Sequence, residues 1–156
     1  MPDDRYRLPR TVVPVRYELR LEPDLAAFTF VGSERVEVEV RQAVTAVVVN
    51  AADLDITEAR LVDAAGRALE ATVTLDREAE RATLALAGTA EPGTWNLETR
   101  FAGTLNDKLA GFYRSVFTDA GGVQRVIATT QFESTDARRA FPCWDEPDLK
   151  AVFGVT

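Results

Sequence analysis

Gln131 and Glu133 stand one residue apart at the end of a run, residues 125–133, that reads as a strand. On a strand, side chains two positions apart share a face. Thr129, Gln131 and Glu133 would then line one side and Ala128, Thr130 and Phe132 the other, so that Phe132 enters the core while the amide and the carboxylate point into a cleft. On spacing alone, an ordinary solvated strand face is the simpler account.

Composition closes most other routes to catalysis. The chain has no histidine and a single cysteine, Cys143, so it holds no histidine-based triad, no imidazole base and no zinc site built on histidines or several cysteines. Cys143 reads as a small buried residue, because no histidine or helix-borne cation is in evidence to activate it. Glycines are scattered, and the pair Gly121 and Gly122 reads as a hairpin turn, not a phosphate loop. Two facing carboxylates could hydrolyse a glycoside, yet no spacing singles out a pair. Asp145 and Glu146 are adjacent and would point apart when extended. They read as part of a solvated loop, with an aspartate capping a helix near Pro147.

The elements that must position these residues show a period of two. Val13, Val15, Tyr17, Leu19 and Leu21 alternate with polar residues, as do Val36, Val38 and Val40, the pattern of strands with one wet face. Residues 46–49 are continuously apolar, as in a strand covered on both faces, and residues 50–53 supply turn chemistry. Residues 56–62 and 71–75 flank a hairpin turn at 63–67, residues 81–86 alternate again, residues 87–93 read as a loop, and Trp95, Leu97, Thr99 and Phe101 share a face. Seven or eight short strands with turns between them and no convincing helix predict an all-β fold, an antiparallel β-sandwich or a saddle-shaped pair of sheets. Residues 1–156 read as one domain with no linker or repeat. Residues 151–156 read as a strand just begun, which predicts a fragment of a longer polypeptide.

With 25 acidic against 18 basic residues, the net charge is −7 and no basic block occurs, so no nucleic-acid partner is expected. No apolar run is long enough to span a bilayer, and residues 1–7 lack the apolar core of a secretory leader. One cysteine permits no intrachain disulfide, which makes a reducing, cytoplasmic setting the default expectation.

Three ordered blocks carry a resemblance. Residues 6–17 (YRLPRTVVPVRY), residues 105–115 (LNDKLAGFYRS) and residues 130–147 (TQFESTDARRAFPCWDEP) are together similar to the amino-terminal domain of the M1 (gluzincin) zinc aminopeptidases of the aminopeptidase N type, over nearly the whole chain. The resemblance implies a β-rich, saddle-shaped domain packed on a thermolysin-like catalytic domain. In the family that second domain supplies a His-Glu-x-x-His helix for zinc and a Gly-x-Met-Glu-Asn segment, and neither motif occurs in this chain.

The resemblance implies that Glu133 binds the substrate's free α-ammonium, together with the glutamate of the missing segment, and that Gln131 lines the pocket for the first side chain. Peptides with a free amino terminus are thus the implied substrates, and Zn²⁺ the implied cofactor of the full-length parent, with none bound by this fragment. The fragment alone is expected to be inactive. Relatives that hydrolyse a lipid epoxide carry glutamine where Glu133 stands, so the glutamate favours a plain aminopeptidase. A non-catalytic binding or scaffolding module derived from the same family is the alternative. Arg138 and Arg139 read either as holding acidic partners across a domain interface or as solvated charges, and Phe112, Phe141 and Trp144 as packing residues.

Overall fold

Side chains that alternate between apolar and charged pair into ladders that bury one face and wet the other, and nearly every segment of that kind in this chain is a strand. The computed structural model describes residues 7–156, so residues 1–6, which include most of the segment lacking a leader core, lie outside the described residues. Ten strands follow in order: β1 (Val12–Asp24), β2 (Thr29–Val40), β3 (Val44–Asn50), β4 (Leu54–Asp63), β5 (Ala68–Asp76), β6 (Arg81–Ala90), β7 (Gly93–Thr104), β8 (Gly111–Thr118), β9 (Gln124–Gln131) and β10 (Val152–Val155). A 3-10 turn, Ala137–Arg139, is the one helical element among the described residues. No helix there is long and apolar enough to cross a membrane.

Eight strands form one sheet in the order β10-β1-β2-β7-β4-β5-β6-β3, while β8 and β9 form a separate hairpin. The pairs are antiparallel except β1 with β10, which run parallel. Strand β5 changes partner along its length. Ala68, Leu69 and Glu70 pair with β4, whereas Ala71 to Asp76 pair with β6. That corner lets one sheet close on a single core, in which Val36, Val38 and Val40 of β2, Leu61 of β4 and Leu97 of β7 are buried with Val47 and Val49 of β3 and Leu84 of β6. Each such side chain contributes about 1.5–3 kcal/mol by leaving water, before the entropy of ordering the chain is set against it. The all-β expectation is met, with one large sheet and a separate hairpin.

Three local expectations fail for physical reasons. Val15 does not join Val13 and Tyr17 on the inner face, because the ladder with β2 shifts register between Pro14 and Arg16; the extra residue of this bulge leaves Val15 exposed. Residues 87–90 are not loop but the end of β6, where Ala90 is buried and pairs with Val44. Strand β3 lies at the edge of the sheet, with Val47 and Val49 buried and Ala46 and Val48 half-buried, so it is not fully covered on both faces.

The same period of two places Glu34 on the face of Val36 and Phe30, and its side chain is only 4% exposed. The Thr99 hydroxyl donates to Glu34 Oε1 at 3.1 Å, and Oε2 has no partner among the described residues. Burial raises the Glu34 carboxyl well above its ordinary value, and the Thr99 hydrogen bond offsets this only partly. An acid whose folded pKa is raised binds a proton that the unfolded chain has released, so its contribution to stability falls as pH climbs from the unfolded value toward the folded one. Glu34→Gln should remove that loss. The difference in unfolding free energy between Glu34→Gln and the parent chain should be small near pH 4 and grow in favour of the variant at higher pH, by at most about 1.4 kcal/mol per pH unit. Urea unfolding at a series of pH values reads it directly, and a difference that does not change with pH would show Glu34 ionised in the fold.

Candidate functional site

The β8–β9 hairpin is built around Asp119. Its Oδ1 accepts from the backbone N–H groups of Gly121 and Val123, and Gly122 takes a φ of +80°, as the Gly-Gly pair predicts. The ladder runs back to Gln131, which pairs with Gly111 at the far end of the hairpin. Strand β9 stops there.

Beyond it, the Asp136 N–H donates to the Phe132 carbonyl at 2.9 Å, closing a turn that contains Glu133, Ser134 and Thr135. The Glu133–Ser134 peptide is cis. Phe132 is half-buried and meets the Phe141 ring edge-on at 6.0 Å, as expected of its inward position. Gln131 and Glu133, however, do not share a strand face. The Glu133 N–H donates to Gln131 Oε1 at 3.3 Å, and the turn carries the carboxylate away from the ladder.

Glu133 is exposed, and its carboxylate makes no hydrogen bond or ion pair among the described residues. It lines a cleft of about 540 Å³ whose walls include Tyr17, Phe141, Trp144 and Phe153, with Lys150 among the lining residues. Gln131 is exposed and stands outside this cleft. A roomier groove of about 690 Å³ is lined by the paired arginines and glutamates of β2, β4 and β7, and Glu133 does not line it.

The carboxylates near Glu133 are engaged. Arg139 donates from Nε to Asp136 at 2.9 Å, from Nη1 to Asp53 at 2.5 Å and from Nη2 to Glu80 at 2.6 Å. Arg138 donates from Nε to Asp145 at 2.9 Å and from Nη1 to Glu80 at 3.3 Å. Burial opposes the Arg139 charge, but the Asp136 hydrogen bond and the Glu80 and Asp53 charges outweigh it and raise its pKa. Both arginines thus pair with acids of this same domain, so neither is a free surface charge. Asp145 caps no helix; it pairs with Arg138, and its N–H donates to Asn50 Oδ1 at 3.2 Å. No spacing rule links Arg139 to Glu80 and Asp53, which stand 59 and 86 positions away. The only sequence signal was the adjacent arginine pair itself.

Cys143 is buried, as its sequence setting suggested, and burial pushes its thiol well up, with the Asp145 and Glu34 charges adding and Arg138 opposing. It is a packing residue, not a thiolate. The Tyr17 hydroxyl accepts from the Trp144 N–H at 3.2 Å. Phe112, Phe141 and Trp144 are buried in the core cluster. Arg114 is structural, donating to the Leu105 carbonyl at 2.5 Å and lying over the Phe28 ring at 4.6 Å. No group of three or more His, Cys, Asp or Glu among the described residues could hold a metal ion, so these residues offer no fit for the zinc that the resemblance implies.

Residues 13–156 match the family described as the Peptidase M1 N-terminal domain. The chain is 49% identical over 150 residues to aminopeptidase M1-D of Oryza sativa, covering 96% of this chain and 17% of that protein. It is 43% identical over 155 residues to the alanine/arginine aminopeptidase of Saccharomyces cerevisiae, covering 96% and 18%. To the puromycin-sensitive aminopeptidase of Caenorhabditis elegans it is 41% identical over 151 residues, covering 96% and 16%. The chain belongs to the M1 peptidase amino-terminal domain family, and it spans about a sixth of the length of these relatives.

Gly111 joins the two halves of the site. It has a φ of +71°, pairs with Gln131, and a Cβ built on it would stand 2.6 Å from Arg139 Cβ. Gly122 also has a positive φ but open space around it. Gly111→Ala should therefore cost about 2–4 kcal/mol, from the left-handed backbone plus the clash, and Gly122→Ala only about 1–2 kcal/mol. Equal losses in urea unfolding of the two variants would mean that the Arg139 contact is not a tight one.

Proposed function

We propose that the chain is the amino-terminal part of a zinc aminopeptidase that removes residues one at a time from the amino end of peptides, and that Glu133 binds the α-ammonium of the substrate. The observation that carries this reading is the state of the Glu133 carboxylate: it lines an aromatic-walled cleft and has no partner among the described residues, while Asp136 and Asp145 nearby are spent on arginines. A carboxylate so placed takes a cation by a charge-assisted hydrogen bond. Paired with a second glutamate from a Gly-x-Met-Glu-Asn segment outside this chain, it would demand a positive charge at the end of the substrate, since two carboxylates together are costly without one. Only a free amino terminus supplies that charge one residue from the scissile carbonyl. Glu133 therefore measures position as well as binding, and Gln131, at the end of β9 outside this cleft and bonded to the Glu133 N–H, faces the first side chain of the substrate.

The zinc of such an enzyme, held by residues outside this chain, would polarise the carbonyl and activate water. Val116, Phe117 and Ile127 on the β8–β9 hairpin and Val152, Phe153 and Val155 on β10 are exposed apolar residues, which supports packing of these edges on the parent's own catalytic domain. A single buried and unpaired cysteine supports a reducing, cytoplasmic setting.

In the full-length parent, Glu133→Ala should raise KM strongly and also lower kcat, because the binding energy that aligns the carbonyl is lost. The loss in kcat/KM for aminoacyl substrates should be roughly 10- to 150-fold, as for removing a hydrogen bond to a charged group, with zinc content unchanged. The 156-residue chain alone should release no amino acid. Unaltered kinetics in the variant would remove Glu133 from the amino-end site and favour a binding or scaffolding role for the domain.

A further inference from the structure

The network on Arg139 has a geometry that stability alone does not require. All three donor groups of the guanidinium are used, and each goes to a carboxylate from a different part of the chain: Asp136 next to the Glu133 turn, Asp53 after β3, and Glu80 between β5 and β6. Glu80 and Asp53 present these carboxylates from left-handed backbone, with φ of +52° and +57°, a conformation that costs a non-glycine residue free energy. Four carboxylates, those of Asp53, Glu80, Asp136 and Asp145, share two guanidiniums.

Its connections lead to the ends of one segment. On one side Arg139 holds the Asp136 carboxylate, and the Asp136 N–H closes the turn around Glu133 by donating to the Phe132 carbonyl. The Arg139 N–H itself donates to the Asp136 carbonyl at 3.1 Å, so Asp136 is fixed at its nitrogen, its carbonyl and its side chain. On the other side the Arg139 Cβ packs against Gly111, the partner of Gln131 in the ladder. The three residues between Phe132 and Asp136 thus have one end, Asp136, set directly by the Arg139 side chain and the other reached through Gly111 and its ladder partner Gln131, and that side chain is held from behind by Glu80 and Asp53.

We propose that Arg139 is a positioning residue that sets where the Glu133 carboxylate stands, with Glu80 as its lock. The proposal rests on the amino-end reading of Glu133 given above. A planar fork with three fixed donors does what a lysine ammonium on a flexible stem does not, so Arg139→Lys keeps the charge and loses the geometry. Glu80→Gln keeps the shape and weakens the lock.

The test is a double-mutant cycle in the full-length parent, reading kcat/KM on aminoacyl substrates for Arg139→Lys and Glu133→Ala, singly and together. Glu80→Gln replaces Arg139→Lys in a second cycle, so that a variant that does not fold leaves the other to decide. Expected is a loss of about 10- to 100-fold for Arg139→Lys, the order of a carboxylate displaced by an ångström, seen mainly in KM, with no further loss when Glu133 is already alanine. Losses that multiply in the double variant, or no loss in either positioning variant, would overturn the positioning role and leave the amino-end reading standing. An unaltered Glu133→Ala enzyme would overturn both.

Discussion

Asn50 and Cys143 exchange both backbone hydrogen bonds, at 2.7 and 3.0 Å, and this small antiparallel bridge holds the functional segment to the scaffold. Ala140, Phe141, Pro142, Cys143 and Trp144 are five consecutive buried residues outside any strand. Their backbone groups have no ladder of their own, and a buried N–H or carbonyl left unpaired costs about 1–3 kcal/mol. The end of β3 supplies the partners of Cys143, while the Ala140 and Phe141 N–H groups donate to the Ala137 carbonyl and the Trp144 N–H to the Tyr17 hydroxyl. Asn50 is itself buried, and its side-chain oxygen takes the Asp145 N–H, while the Ala52 N–H donates to the Arg138 carbonyl at 2.9 Å. An edge strand that would otherwise present unpaired groups thus serves as the template for an irregular stretch.

The charges are arranged by the same logic. The basic residues are sixteen arginines and only two lysines, Lys108 and Lys150. Arginine can bridge several carboxylates in a fixed plane, which lysine cannot do without rearranging its stem. Arg138 and Arg139 use this to tie the 3-10 turn to the turn before β6 through Glu80 and to the loop after β3 through Asp53. Glu34 is the opposite case: a carboxyl in the core with one hydroxyl partner and no cation, whose burial favours the neutral form.

How far this could be read from sequence depends on whether the determining contact was local. The strands were legible because period two is written residue by residue, in Val36, Val38 and Val40 as in Trp95, Leu97 and Phe101. The Gly121-Gly122 turn was legible for the same reason. The bulge at Val15 was not, since it is defined by the register against β2, and the strand character of residues 87–90 depends on β3 lying alongside. At the candidate site, the buried Cys143 and the inward Phe132 followed from residue type and alternation. The departure of Glu133 from the strand face did not, because the hydrogen bond that ends the alternation comes from Asp136 and is supported by residues more than fifty positions away.

That departure bears on what the carboxylate can do. A glutamate kept on the β9 face would stand next to Gln131 and Thr129 in a ladder whose spacing is fixed by the backbone. Placed in a closed turn instead, it leaves the ladder and stands in a cleft with Tyr17, Phe141 and Phe153. Irregular backbone is ordinarily the mobile part of a protein, and a mobile carboxylate would be a poor reference point for a substrate's charge. Here the turn is short, its Asp136 end is bonded to Arg139, the strand end that precedes it pairs with Gly111 beside the same arginine, and the buried residues that follow are bridged to β3. A group that is to take its counter-ion from solvent has to be left unneutralised by the fold and yet held in place by it. Spending Asp136 and Asp145 on Arg139 and Arg138, and Glu146 on Arg10, while leaving the Glu133 carboxylate without a partner among the described residues meets both conditions at once.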